Sequence, residues 1–340
     1  MMNSPAAKRR HGSLATLHAS QAGLARIART IADPARSLES LIGVTGELRA
    51  FVERHTQLVM KIANPLTEGG STLPSGRAIS PLQAALCARE MLRSAAFIQG
   101  LASAIRARLN DAAPVAVLYA GCGPFALLAL PLMAIFSPRQ VQFTVLEVHE
   151  EALGHARTLI DELGYNAHVA AFVCTDAVTW RIAPDAVPDV IVSETMNTAL
   201  GKEPQVAIMR NLFAQAPQAT LVPSAISVHV GSEGDTSAEP CSEWGKVFEI
   251  NAERILDWQL IEAPRLPAAS ITLPADLGFG ARLLTRIEVY GDIRLGDYDS
   301  SLNLPLQLPG KPKLKGKETL AFSYQLGSAP GLACEVSPSQ

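Results

Sequence analysis

Four short segments hold the residues whose types and spacing can do chemistry. The first is Tyr119-Ala120-Gly121-Cys122-Gly123-Pro124, at the end of an apolar, β-type run. Gly121 and Gly123 let a backbone turn sharply and approach a ligand with no Cβ in the way. Strand, glycine turn and a following apolar helix make the first crossover of a nucleotide-binding sheet. Glu147 closes the next strand-like run, where a carboxylate can accept both hydroxyls of a ribose. Asp176 follows a third such run, placed to meet an adenine amino group. Glu194 and Glu203 bracket a loop after a fourth, Asp189-Val190-Ile191-Val192-Ser193. Paired carboxylates at the ligand-binding edge of a sheet can hold a cation or take a proton. Each residue has a plainer reading. Glu147 suits a helix N-terminus, Asp176 a turn, and Glu194 and Glu203 a solvated loop.

The elements that must position these groups fall into three regions behind a basic N-terminal tail. Residues 1–19 read as disordered, with Lys8-Arg9-Arg10 and no apolar stretch of signal-peptide type. Residues 20–110 read as a helical lid domain, with helices over 21–32, 38–62 and 81–109. Ser80-Pro81-Leu82-Gln83 has the form of a capping box with proline in the first helical turn. A turn-rich segment, 64–76, precedes it, and its part from Gly69 to Gly76 is placed to order over a ligand and dry the site. On this reading, deleting residues 1–76 abolishes turnover and leaves the sheet domain folded.

Residues 111–222 alternate strand and helix, which predicts an α/β, doubly wound, Rossmann-like sheet. Strands are expected at 115–120, 141–147, 168–174, 189–193 and 219–222, and helices at 124–136, 150–163 and 204–215. Residues 223–340 show β-type alternation broken by Gly and Pro, and read as an antiparallel, barrel-like domain.

Composition limits the function classes. The net charge of −3 comes with no basic stripe, which argues against a nucleic-acid partner. No long uncharged apolar run argues for a membrane span. Five cysteines, scattered singly without metal-type spacing, fit a reducing cytoplasm. His149 and His155 are not at the i,i+4 spacing that pairs two ligands, so no metal is expected. Cys122 reads as a small apolar filler, and Trp180, Trp244 and Trp258 as packing residues.

Taken together, these motifs resemble class I S-adenosylmethionine (SAM)-dependent methyltransferases, over residues 115–330. The protein arginine methyltransferase branch is the most similar. Its double-glutamate loop has the form Ser-Glu-x-Met-Gly, matched here by Ser193-Glu194-Thr195-Met196-Asn197 with a second glutamate at Glu203. The resemblance implies SAM as cosubstrate or sole substrate, with Gly121 and Gly123 at its amino-acid end and Glu147 at the ribose. Asp176 and Ala177 would face the adenine. Tyr119 and Glu194 would lie near the sulfonium and amino group. It also implies a homodimer built through the barrel as one arrangement open to the chain. Three departures speak against protein arginine as acceptor. Asn197 replaces the loop glycine, the barrel lacks a Thr-His-Trp loop, and residues 20–110 hold no tyrosine.

These features are similar to what is expected of azetidine-2-carboxylate synthases of bacterial nonribosomal peptide pathways. In that reaction the α-amine of SAM displaces methylthioadenosine from its own γ-carbon. Glu194, Glu203, Asn197 and Tyr119 are then the candidate catalytic residues. Methyl transfer to a small amino-acid-like or amine metabolite is the alternative, and non-catalytic SAM binding is a third.

Overall fold

The computed structural model describes residues 5–56, 58, 69–234 and 241–338, with side chains described from residue 14 onward. The chain opens with helices α1 (Pro5–Ile31) and α2 (Ile42–His55). A hairpin follows, β1 (Ser71–Leu73) with β2 (Gly76–Ala78), then α3 (Pro81–Leu86) and α4 (Met91–Arg108). The central region runs β3 (Val115–Ala120), α5 (Leu130–Met133), β4 (Val141–Glu147), α6 (Glu150–Glu162), β5 (Val169–Cys174), β6 (Val190–Ser193), α7 (Gln205–Gln215) and β7 (Thr220–Val222). The last region holds β8 (Ala225–Ser232), β9 (Ser242–Asn251), α8 (Ala252–Asp257), β10 (Arg265–Thr272), β11 (Ala281–Tyr290), β12 (Ile293–Leu295), β13 (Leu306–Gln307), β14 (Thr319–Gln325) and β15 (Gly331–Ser337).

The central sheet is wholly parallel, in the order β5-β4-β3-β6-β7. Every residue of β6 is buried, and so is every residue of β3 but Ala116. That is why these strands read as near-continuous apolar runs: a parallel sheet is covered on both faces. Chain order reverses between β3 and β6, and ligands bind outside the carboxyl ends of strands at such a switch point. Ala120 pairs with Leu146 on one side and Ser193 on the other. Gly121, Glu147 and Glu194 therefore leave the sheet side by side.

The C-terminal region is antiparallel throughout. One sheet runs β12-β11-β8-β9 with β13 on β11, and the other β10-β14-β15. Phe248 of β9 stacks between Trp258 and Tyr324, with ring centroids 5.4 and 4.7 Å away.

Four expectations need correction. Residues 5–19 are helical, part of α1, rather than a disordered tail. Strong helix formers dominate that stretch, and Gln21 ties the helix down by donating to the Leu163 carbonyl at 2.9 Å. The helix expected over 81–109 is two helices, broken at Glu90 (φ −84°, ψ 82°). The Glu90 carboxylate accepts the Ser301 N–H at 2.9 Å, a pairing no local pattern encodes. The helix expected over 124–136 shrinks to α5. Pro131 has no N–H to donate, and Ala126 is left-handed at φ +43°. The expected 38–62 helix ends at His55, and much of the segment after it lies outside the described residues.

The N-terminal helices are not a detachable cap. Leu24, Ile27, Ile31, Leu48 and Val52 belong to the same core as the sheet. Gly100 of α4 lies so close to β11 that a Cβ there would meet Val289 Cγ1 at 2.6 Å. Deleting residues 1–76 would expose this apolar face, so the clean truncation expected from sequence is not available.

Candidate active site

A cavity of about 510 Å³ opens at the carboxyl edge of the sheet, between β3, β4 and β6. All three regions line it: Leu73, Arg77 and Phe97 from the N-terminal part, the sheet-edge residues, and Ser301 and Leu302 from the barrel. Every site residue expected from sequence is on this wall: Tyr119, Gly121, Gly123, Glu147, Asp176, Ala177, Glu194, Asn197 and Glu203.

The glycine turn is built by close packing. Gly121 (φ +78°) and Gly123 (φ +59°) are both left-handed. A Cβ on Gly121 would lie 2.2 Å from Thr195 Cγ2. The first glycine therefore makes room for the loop after β6 rather than for a ligand. Beside it, Cys122 is buried, and burial raises its thiol pKa well above the ordinary value. It packs as a small apolar residue. Tyr119 is buried too, and burial raises its phenol in the same way, so it stays protonated. Its hydroxyl points at the Cys122 carbonyl, 3.5 Å away.

Glu147 organises the adjoining corner. Oε2 accepts the Gly123 N–H at 2.9 Å, and Oε1 accepts the N–H groups of Val148 and His149 at 2.8 and 3.1 Å. A carboxylate has about four lone-pair sites, so capacity remains on Oε2 for one hydroxyl donor in the cavity. Asp176 plays the turn role and keeps a free oxygen: Oδ1 accepts the Val178 N–H at 2.9 Å. The Ala177 carbonyl accepts from Asn211 at 2.9 Å.

The loop from Glu194 to Glu203 is held in a strained form. Ala199, Leu200 and Lys202 have φ of +54°, +58° and +67°, a region non-glycine residues rarely occupy. Contacts from distant parts of the chain hold it there. Ala199 donates to Thr285 Oγ1 at 2.9 Å, and the Leu200 carbonyl accepts from Tyr324 at 2.8 Å. Lys202 N–H donates to the Pro330 carbonyl at 2.8 Å, and its own carbonyl accepts the Arg77 N–H at 2.7 Å. At the loop's stem, buried Gln205 accepts from Thr195 N–H at 2.9 Å and donates to the Ser193 carbonyl at 3.1 Å.

Inside this loop sits a charge cluster. Glu194 Oε2 accepts from the guanidinium of Arg93, which is buried on α4. Glu194 Oε1 is buried with no hydrogen-bond partner. Burial raises the Glu194 carboxyl while Arg93 opposes it, and Glu194 raises Arg93 in turn. Glu203 is also buried. Burial first and Glu194 second push its carboxyl up to about 7. Asn197 Nδ2 lies 3.5 Å from Glu203 Oε1, and its own Oδ1 accepts the Thr198 N–H at 2.8 Å.

The hairpin β1–β2 lies against the Glu147 corner of the cavity. Ser71 Oγ meets His149 Nε2 at 3.0 Å, two residues beyond Glu147. The capping box at the start of α3 is present, with Gln83 N–H donating to Ser80 Oγ at 3.2 Å.

Sequence reading missed Arg93, Gln205, Arg77 and the barrel residues Ser301 and Leu302. Only Arg93 left a signal. It lies four residues before Phe97 and eight before Leu101, an arginine in a helix's apolar stripe.

No family model matches the chain, and no curated protein sequence matches it. Among solved structures, PRMT6 is similar with a TM-score of 0.51 at 10% identity, over 74% of this chain and 99% of that one. The Trypanosoma brucei PRMT1 enzyme–prozyme heterotetrameric complex with AdoHcy has a TM-score of 0.48 at 12% identity, over 74% and 92%. The fold is that of a class I methyltransferase with a β-rich C-terminal part.

Proposed function

We propose that this protein is a SAM-dependent enzyme that closes the amino-acid end of SAM into azetidine-2-carboxylate and releases methylthioadenosine. The fit to SAM rests on the wall of the cavity. Glu147 keeps capacity for a ribose hydroxyl and Asp176 a free oxygen for an adenine amino group. Buried carboxylates suit a cationic ligand. When bound, SAM supplies a sulfonium whose neighbouring carbons are open to displacement.

The observation that carries the reaction is the charge cluster: two buried carboxylates and one buried guanidinium, with Glu203 near pKa 7. Ring closure forms one N–Cγ bond and breaks one Cγ–S bond, whose electron pair passes to sulfur. One proton must leave the ammonium. Glu203 is matched to take it, because a base near the working pH is the most effective. Arg93 offsets part of the charge of Glu194, so an ammonium held there gives its proton to Glu203 more readily than it would beside an unpaired carboxylate. Leu73 and Arg77 of the hairpin and Pro81 and Ala84 of α3 line the cavity, where they would help keep water from a bound sulfonium.

Purified protein with SAM alone, followed by mass spectrometry, tests the reading. Methylthioadenosine and azetidine-2-carboxylate are expected, with no S-adenosylhomocysteine. S-adenosylhomocysteine formed only when an amine is added would replace this reading with methyl transfer to a small acceptor, which the fold equally accommodates. Binding with no turnover in either condition would favour a SAM-binding protein.

A further inference from the structure

Arg93 is a cation of the protein seated where a cationic ligand would meet Glu194. It comes from α4, between Leu92 and Ser94, and its guanidinium is buried against Glu194 Oε2. A guanidinium presents a planar fork that needs both oxygens of a carboxylate to bind bidentately. On Glu194 one oxygen is already taken. The other, Oε1, is buried with no partner, on a residue that lines the cavity. A buried carboxylate oxygen left unpaired costs free energy unless a ligand supplies a donor. A single oxygen suits a compact ammonium, whose three donors can be shared among separate acceptors. Glu203 is the neighbouring acceptor on the same wall.

We infer that Arg93 is the specificity-determining residue of this site: it fills the guanidinium seat of Glu194 and leaves Oε1 to bind a ligand's primary ammonium. This rests on the reading of the cavity as a SAM site and names the group that Glu194 recognises. It does not depend on which bond is made or broken there.

Binding without turnover tests it. The probes are S-adenosylhomocysteine and its desamino analogue, titrated calorimetrically into the full chain. The wild type is expected to prefer S-adenosylhomocysteine by about 10- to 100-fold, the range of a hydrogen bond to a charged group. Glu194→Gln should remove that preference and leave the desamino analogue within about threefold. An equal loss for both ligands, or an unchanged preference, would overturn the assignment.

The seat itself is tested with guanidinium chloride at low millimolar concentration, against sodium chloride at matched ionic strength. Arg93→Ala should gain thermal stability saturably with guanidinium, and the wild type should not. A response equal in both, or absent from a folded Arg93→Ala, counts against the seat. Should Arg93→Ala not fold, Arg93→Ala/Glu194→Gln removes the pair together, leaving no lone buried charge. It must then show neither guanidinium response nor ammonium preference, and a retained preference refutes the inference. If neither probe binds the wild type, the SAM reading has failed. If both bind without preference, only the role of Glu194 has.

Discussion

Arg93 and Glu194 stand 101 positions apart in the chain and form a buried ion pair in the wall of the cavity. One comes from a helix of the N-terminal region and the other from the end of a central strand. Their pairing welds the two regions at the site where chemistry is proposed. Truncating one partner of such a pair leaves an uncompensated buried charge. Arg93→Ala should therefore lower stability by about 3–5 kcal/mol, and Glu194→Gln in the same chain should restore part of it. Denaturant unfolding of the two singles and the double gives the coupling directly.

Glu203 should impose a pH limb on turnover. With its carboxyl near 7, the fraction able to accept a proton rises as pH rises through neutrality. Turnover should climb between about pH 6 and 8 and then level. Glu203→Gln should lower kcat by about 10²–10⁴-fold and flatten that limb. A pH–rate profile of wild type and variant decides it, and an unchanged limb in the variant would assign the titration elsewhere.

The same group has a signature in stability. Its folded pKa is raised from 4.5 to about 7, so the folded state holds the proton more tightly than the unfolded chain. The stabilisation is present below about pH 4.5 and is lost as pH rises through about 7. Glu203→Gln cannot lose that proton. Its unfolding free energy should fall less than the wild type's across this window, by up to about 3 kcal/mol. Urea titrations at the two ends of the window measure the difference.

Gly121→Ala should be costly for two separable reasons. A Cβ would meet Thr195 Cγ2 at 2.2 Å, and the left-handed backbone adds strain of about 1–2 kcal/mol. Thr195→Ser removes the clashing methyl. The double variant should regain the steric part of the loss and retain the backbone part. Thermal melts of both chains check this, and no recovery in the double would place the constraint elsewhere.

The hairpin should act on substrate retention more than on the chemical step. Ser71→Ala breaks its hydrogen bond to His149, worth about 1 kcal/mol. A several-fold rise in KM with a smaller change in kcat is expected. Unchanged KM would remove the hairpin from the closing of the site.

Residues 111–222 were legible in the sequence because a parallel sheet imposes local patterns. Strands buried on both faces are apolar runs, crossover helices have their own period, and chemistry-bearing residues end the strands. Gly121, Gly123, Glu147, Asp176, Glu194 and Glu203 could be named on that logic, and Tyr119, Ala177 and Asn197 through the family resemblance; all of them line one cavity. What those patterns carry is position along the chain. They cannot say what each side chain will face once distant segments meet. Gly121 makes room for Thr195, Glu90 breaks a helix to reach Ser301, and Glu194 meets Arg93, all through packing between remote parts of the chain. Local sequence determined which residues reach the sheet edge. The tertiary structure decided their charge and their partners, because burial and long-range pairing arise only when helices, sheet and barrel close on one another.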